Sequence, residues 1–177
     1  MEKILVTGCS GLVGTHLSHK LISLGYEVVG VDIIGSNFLP QNPNFIYIQL
    51  DLTDSESVDE LFDKFKFDVV INSFGIKGSP IRAKERPLDF LTPSIKGNTN
   101  IIENSFKHKS WLVFMSSVGV YEPAEEFVEE TVWKTLPSQN DWFPSWSKRI
   151  PELLLEAYKV QYDWQGWTIV RPANIFG

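Results

Sequence analysis

The sequence predicts a doubly wound α/β domain, with a parallel β-sheet covered by helices on both faces in three layers. Short apolar runs recur along the chain, each nearly continuous, as strands buried on both faces require. Helical stretches separate them, and a glycine-rich turn joins the first run to the first helix. At 177 residues, against about 150 per domain, the chain reads as a single domain, residues 1–177, with one core.

The elements follow in order. Lys3 to Thr7 (KILVT) is a buried strand closed by glycine, and Leu12, Leu17, Leu21 and Leu24 mark a helix that stops at Gly25. Glycine is the natural residue just past a helix end. Glu27 to Asp32 and Asn44 to Leu50 are the second and third strands. Ser55 to Phe65 has an acidic first turn and apolar Val58, Leu61, Phe62 and Phe65, an amphipathic helix. Asp68 to Asn72 is a fourth strand, Pro87 to Lys107 a long helical region, and Trp111 to Ser116 a fifth strand. Lys148 to Tyr162 is another helix and Trp167 to Arg171 a sixth strand. Between Tyr121 and Ser147 the pattern breaks into a loop rich in proline and tryptophan. Loops of that length in compact domains are functional or mobile.

Composition excludes several classes. Sixteen Lys and Arg against 22 Asp and Glu give a net charge of −6, which argues against a nucleic-acid partner. The run Lys107, His108, Lys109 suits the C-terminus of a helix. No stretch approaches the ~20 apolar residues of a membrane span, and the N-terminus does not read as a signal peptide. A cytoplasmic protein is therefore expected, without a membrane partner. Cys9 is the only cysteine, so neither an internal disulfide nor a thiolate metal cluster is expected. His16 and His19 are three residues apart, but with no third ligand evident they read as surface histidines rather than a metal site.

The glycine turn carries the first functional signal. Thr7-Gly8-Cys9-Ser10-Gly11-Leu12-Val13-Gly14 spaces its glycines G-x-x-G-x-x-G between a strand and a helix. Glycines there let the chain turn tightly and approach a pyrophosphate, while the helix N-terminus offers free N–H groups. Asp32, 18 residues beyond Gly14, stands where a carboxylate accepts hydrogen bonds from the adenosine ribose and repels a 2′-phosphate. NAD is thus expected in preference to NADP.

Four motifs together resemble the extended short-chain dehydrogenase/reductase family, whose members are NAD-dependent epimerases and dehydratases of nucleotide sugars. They are the glycine turn, Asp51-Leu52 after the third strand, Ser116-Ser117-Val118-Gly119-Val120-Tyr121 after the fifth, and Arg171-Pro172-Ala173-Asn174-Ile175-Phe176-Gly177 after the sixth. The resemblance implies a Rossmann-type sheet in the order 3-2-1-4-5-6 with NAD at the C-terminal ends of the strands. It places Gly8, Ser10, Gly11, Leu12, Val13 and Gly14 at the pyrophosphate, Asp32 at the ribose, and Asp51 and Leu52 at the adenine edge. Ser73, Phe74 and Gly75 pass under the cofactor, and Pro172 and Asn174 adjoin it. Pro93 to Glu103 resembles a further helix of the family, with Ser94 where asparagine is usual and Asn98 where threonine is usual.

The resemblance also implies a catalytic set of a hydroxyl residue, a tyrosine and a lysine. A Tyr-x-x-x-Lys pair puts both side chains on one helix face, and the lysine lowers the tyrosine pKa so that a phenolate takes a substrate proton while hydride moves to or from the nicotinamide. Ser117 matches the hydroxyl, and Lys148 matches the lysine, which also bonds the nicotinamide ribose. The tyrosine position holds Pro144. Proline cannot transfer a proton. Tyr121 is the nearest tyrosine by motif, at a position the family keeps distinct from the catalytic one. The family also continues beyond the sixth-strand motif into a segment that grips the sugar nucleotide, so an end at Gly177 implies a fragment or a minimal cofactor-binding domain. Two functions remain open: an NAD-dependent nucleotide-sugar epimerase/dehydratase-like protein, or a catalytically impaired NAD-binding regulatory or interaction module.

Three weaker features complete the reading. Glu125, Glu126, Glu129 and Glu130 read as a solvated acidic loop. Trp133, Trp142 and Trp146 form a wall over the nicotinamide, an interface or a loop core. The two long helices carry more apolar surface than one face against the sheet uses, among it Ile95, Ile101, Ile102 and Phe106 on the first and Leu153, Leu154, Leu155 and Val160 on the second. A homodimer through those helices is expected, the alternative being that the aromatic loop folds over them.

Overall fold

The computed structural model describes residues 2–76 and 78–176. Six strands, β1 (Lys3–Thr7), β2 (Glu27–Asp32), β3 (Phe45–Gln49), β4 (Val69–Asn72), β5 (Trp111–Met115) and β6 (Trp167–Val170), form one sheet. All neighbours are parallel, and the order is β3-β2-β1-β4-β5-β6. Five helices connect them: α1 (Leu12–Ser23), α2 (Ser55–Phe65), α3 (Pro80–Glu85), α4 (Leu88–His108) and α5 (Trp142–Tyr162).

Because side chains alternate across a strand, β1 feeds two cores. Leu5 packs with Val29, Val70, Leu112 and Phe114 against Val58, Phe62, Ile101, Ile102 and Leu155 of α2, α4 and α5. Ile4 and Val6 point the other way, with Val28, Cys9 and Leu39, toward Leu21 and Ile22 of α1. These are the three layers expected. On the α1 side, register aligns Val6, Ile71, Val113 and Thr168 on one face, and there Thr168 and Val170 of β6 are exposed.

The strand order reverses between β1 and β4, which opens a crevice outside their carboxyl ends. A buried polar chain joins β1 and β4 to α4. Thr7 donates to Asn72 Oδ1 at 2.7 Å, Asn72 to Asn98 Oδ1 at 2.9 Å, and Asn98 to the Ser94 carbonyl at 2.8 Å. The Asn98 side chain thus bridges Asn72 and the Ser94 carbonyl, and its amide is satisfied on both sides.

Three elements differ from expectation. The segment from Pro80 to Glu85 is helical, capped by Ser79, which accepts the Arg82 N–H. The stretch expected to be loop contains a 3-10 turn at Glu129–Lys134. Helix α5 begins at Trp142 rather than Lys148. Pro144 is the third residue of α5, where the missing N–H would have no helical partner. The described residues contain no helix long and apolar enough to cross a membrane.

Candidate active site

Two cavities meet at Gly75 and Ile76 to form one cleft along the sheet's C-terminal edge. The first, about 270 Å³, lies over the β1–α1 turn and is lined by Gly8, Ser10, Gly11, Leu12, Val13, Gly14, Asp32, Leu52, Ser73 and Phe74. Nearly the whole expected cofactor set is brought together here.

Backbone geometry builds this half. Gly8 has φ +64°, a left-handed conformation that favours glycine. A Cβ on Gly14 would overlap the Gly8 carbonyl and Cys9 Cα, so only glycine lets α1 start this close to the turn. Gly11 caps α1 without a side-chain hydrogen bond, leaving first-turn N–H groups for an anionic ligand. The Asp32 carboxylate is held by the N–H groups of Ser10 at 3.1 Å and Ile33 at 2.8 Å, and the Ser10 hydroxyl donates to the Ile34 carbonyl at 2.7 Å. Such a donor turn beside a fixed carboxylate fits a dinucleotide.

Of the expected contacts, Lys148 and Asn174 line the second cavity and two line neither. Asp51 is exposed, accepts the Thr53 N–H at 2.9 Å and lines a neighbouring depression with Gln49 and Ser57. Pro172 lines neither cavity. Its carbonyl accepts the Val118 N–H at 3.0 Å, so it fastens the turn after β5 to the exit of β6. Gly177 lies outside the described residues.

The second cavity, about 370 Å³, is lined by Ser117, Tyr121, Pro144, Lys148 and Asn174, among others. Ser117 follows β5, and its Oγ accepts the Gly119 N–H at 3.1 Å, so its own proton is free to be donated. The Lys148 ammonium donates to the carbonyls of Phe74 at 2.8 Å and Met115 at 2.9 Å, which ties α5 to the ends of β4 and β5. A Cβ on Gly75 would stand 3.7 Å from Nζ, so the ammonium lies at the junction of the two cavities. Burial pushes its pKa down from 10.5 to about 8, against the opposing charge of Glu152.

Helical spacing puts Asp141, Pro144, Ser145 and Lys148 on one side of the N-terminal end of α5, at i, i+3, i+4 and i+7, and all four line the cavity. Position 144 thus faces the ligand space with a ring that can neither accept nor donate a proton. Among the described residues the ionisable groups lining this cavity are Tyr121, Asp141 and Lys148. Sequence reasoning missed Asp141 and Ser145; starting α5 at Trp142 would have put both on the Lys148 face.

Behind the cavity a buried ion pair locks α5 to β6. Arg171 donates from Nε and one terminal nitrogen to the two Glu152 oxygens, both at 3.0 Å, and from the other to the Tyr121 hydroxyl at 3.0 Å. Glu152 is wholly buried. Burial alone would lower the Arg171 pKa, but hydrogen bonds and charge from Glu152 and Tyr121 hold it above its usual value.

The tryptophans line neither cavity. Arg149 lies over the rings of Trp133 at 5.6 Å and Trp146 at 5.8 Å, and Trp142 meets Trp146 edge-on, a loop core over the first half of α5. The second half leaves Leu153, Val160 and Tyr162 exposed. His16 and His19 hydrogen-bond through their rings with the carbonyls of Leu12 and Phe38. The four glutamates between 125 and 130 are exposed.

With this geometry in place, comparison with known proteins is decisive. The profile of the NAD dependent epimerase/dehydratase family matches residues 4–177. The chain belongs to that family. It is 33% identical over 141 residues to the UDP-glucose 4-epimerase of Pisum sativum, covering 71% of this chain and 39% of that relative. Against the Mus musculus UDP-glucose 4-epimerase it is 30% identical over 136 residues, 68% of this chain and 39% of the relative. Among solved structures, the Thermotoga maritima UDP-glucose 4-epimerase with UDP-glucose superposes with a TM-score of 0.83 at 27% identity, covering 99% of this chain and 56% of that one. The Thermus thermophilus UDP-glucose 4-epimerase in complex with NAD gives 0.80 at 27% identity, covering 96% and 54%. The chain thus spans about two fifths of the length of the curated relatives it matches and about half of these epimerase structures.

Proposed function

We propose that the chain binds NAD along the cleft and forms the cofactor half of an NAD-dependent nucleotide-sugar epimerase or dehydratase. The observation that carries this reading is the continuity of the cleft: a glycine turn with a fixed carboxylate at one end, and Ser117 and Lys148 at the other. NAD supplies a hydride acceptor and donor at C4 of its nicotinamide. The first-turn N–H groups of Leu12 and Val13 hold its pyrophosphate and Asp32 its adenosine ribose, with Leu52 and Asp51 toward the adenine. Ser73, Phe74 and Gly75 form the floor, and Asn174 closes the far side.

Over the second cavity, Ser117 donates its hydroxyl proton to a substrate oxygen and Lys148 gives its remaining N–H to the nicotinamide ribose. Pro144 moves no proton, so proton transfer in this cavity falls to Tyr121, Asp141 or Lys148. The reading includes a cytoplasmic location and a homodimer through α4 and α5, supported by the apolar Leu153, Val160 and Tyr162 left exposed on α5. Sedimentation equilibrium at micromolar concentration tests the dimer; a monomer mass unchanged by NAD contradicts it.

The activity is tested with a panel of UDP-, GDP- and dTDP-sugars assayed with NAD, on the wild type, Lys148→Ala and Pro144→Tyr. Slow turnover that Lys148→Ala abolishes and Pro144→Tyr raises is expected. Robust turnover indifferent to Lys148→Ala contradicts the role of the lysine, and NAD binding without turnover in either the wild type or Pro144→Tyr leaves the NAD-binding module as the function.

A further inference from the structure

One hydroxyl at the wall of the second cavity is left without a partner. Ser145 is 2% exposed, lines the cavity, and its Oγ makes no hydrogen bond among the described residues. Its backbone is satisfied, the N–H donating to the Asp141 carbonyl at 2.8 Å. Buried helical serines ordinarily return their hydroxyl to a carbonyl one turn back. Three others in this chain do so: Ser18 to Gly14 at 2.8 Å, Ser105 to Ile101 at 2.7 Å and Ser147 to Pro144 at 2.7 Å. Ser145 has the same option at Asp141 and leaves it unused.

A buried hydroxyl with no partner costs stability, so its retention points to a partner outside the protein. The surroundings are shaped around it. A Cβ on Gly119 would come within 2.7 Å of Ser145 Oγ and 3.5 Å of Ser117 Oγ, so the bare glycine lets the turn after β5 sit beside both hydroxyls. Three residues toward the N-terminus from Lys148, with Pro144 offering no polar atom on its side chain, Ser145 stands on the cavity side of α5 with its Oγ tucked against the Gly119 turn.

We propose that Ser145 is a further ligand-binding residue of the cleft, its hydroxyl donating a hydrogen bond to a hydroxyl oxygen of the sugar ring of a nucleotide sugar. This rests on the nucleotide-sugar reading above and adds a residue to it. The test is binding rather than turnover. UDP-glucose is titrated to millimolar concentration into the NAD-loaded chain and followed by saturation-transfer NMR, with NAD affinity by calorimetry and thermal midpoints measured alongside.

Ser145→Ala is expected to weaken UDP-glucose binding about tenfold, with NAD affinity within twofold of wild type and the thermal midpoint unchanged or raised. Ser145→Cys, close in volume but a weak donor, is expected to weaken the sugar ligand similarly and guards against a folding defect in the alanine variant. UDP-glucose binding that neither variant alters overturns the proposal while the reading stands. A loss that falls on NAD, or a lowered midpoint with both affinities reduced in both variants, also overturns it, by assigning the hydroxyl to the cofactor or to the fold. A wild-type chain that takes up NAD but no UDP-glucose overturns the reading and the proposal together.

Discussion

The two halves of the cleft are built by different means. The turn over β1 and α1 is shaped by main chain: a left-handed Gly8, a Gly14 with no room for a side chain, and a carboxylate held by two backbone N–H groups. The half beside α5 is assembled from side chains distant in sequence. Lys148 reaches carbonyls 74 and 33 residues away, and Arg171 reaches partners 19 and 50 residues away. The first half is therefore intolerant of added atoms, whereas the second can be retuned by substitution.

The largest effect is expected where the second half is locked. Glu152→Gln leaves the partly buried Arg171 guanidinium without its counter-charge, and breaking such a pair is expected to cost up to about 3 kcal/mol. Urea unfolding measures it. A loss below about 1 kcal/mol would mean that the side-chain half does not depend on this lock. In the first half the corresponding break is Gly14→Ala, whose Cβ would push on the Gly8 carbonyl and Cys9. It is expected to reduce NAD affinity by more than tenfold in calorimetry, and affinity equal to wild type would show that the turn is not set by main-chain contact.

A gentler probe separates the halves by pH. The Lys148 ammonium has a pKa of about 8 in the fold against 10.5 when free, so between those values the unfolded chain holds the proton and the folded chain releases it. Its contribution to stability accordingly rises with pH over that window, while any affinity that needs the charged amine falls as pH passes about 8. NAD binding is expected to weaken severalfold from pH 7 to pH 9 in the wild type and to stay level in Lys148→Met. A matching decline in Lys148→Met would place the titrating group elsewhere.

The same contrast explains what could be read from the sequence. The strands, the glycine turn and Asp32 were legible because each is encoded in apolar runs and motif spacing, while the strand order followed from the family resemblance. The start of α5 was not, since its first turn, Trp142 to Ser145, merges in composition with the proline- and tryptophan-rich stretch before it, and Pro144 is compatible with the helix there because it occupies a first-turn position. Ser145 and Asp141 went unseen with it. Nor could local pattern show that Arg149 lies over Trp133, or that Glu152, Arg171 and Tyr121 meet, because those contacts join segments that only the fold brings together.

The most direct test of the central claim is calorimetry of the chain with NAD and NADP in parallel. In the proposed complex the fixed Asp32 carboxylate would accept from the ribose hydroxyls and repel a 2′-phosphate, so NAD is expected to bind at least tenfold more tightly than NADP, and Asp32→Ala to narrow that ratio. Binding of neither dinucleotide, or tighter binding of NADP, would contradict the account.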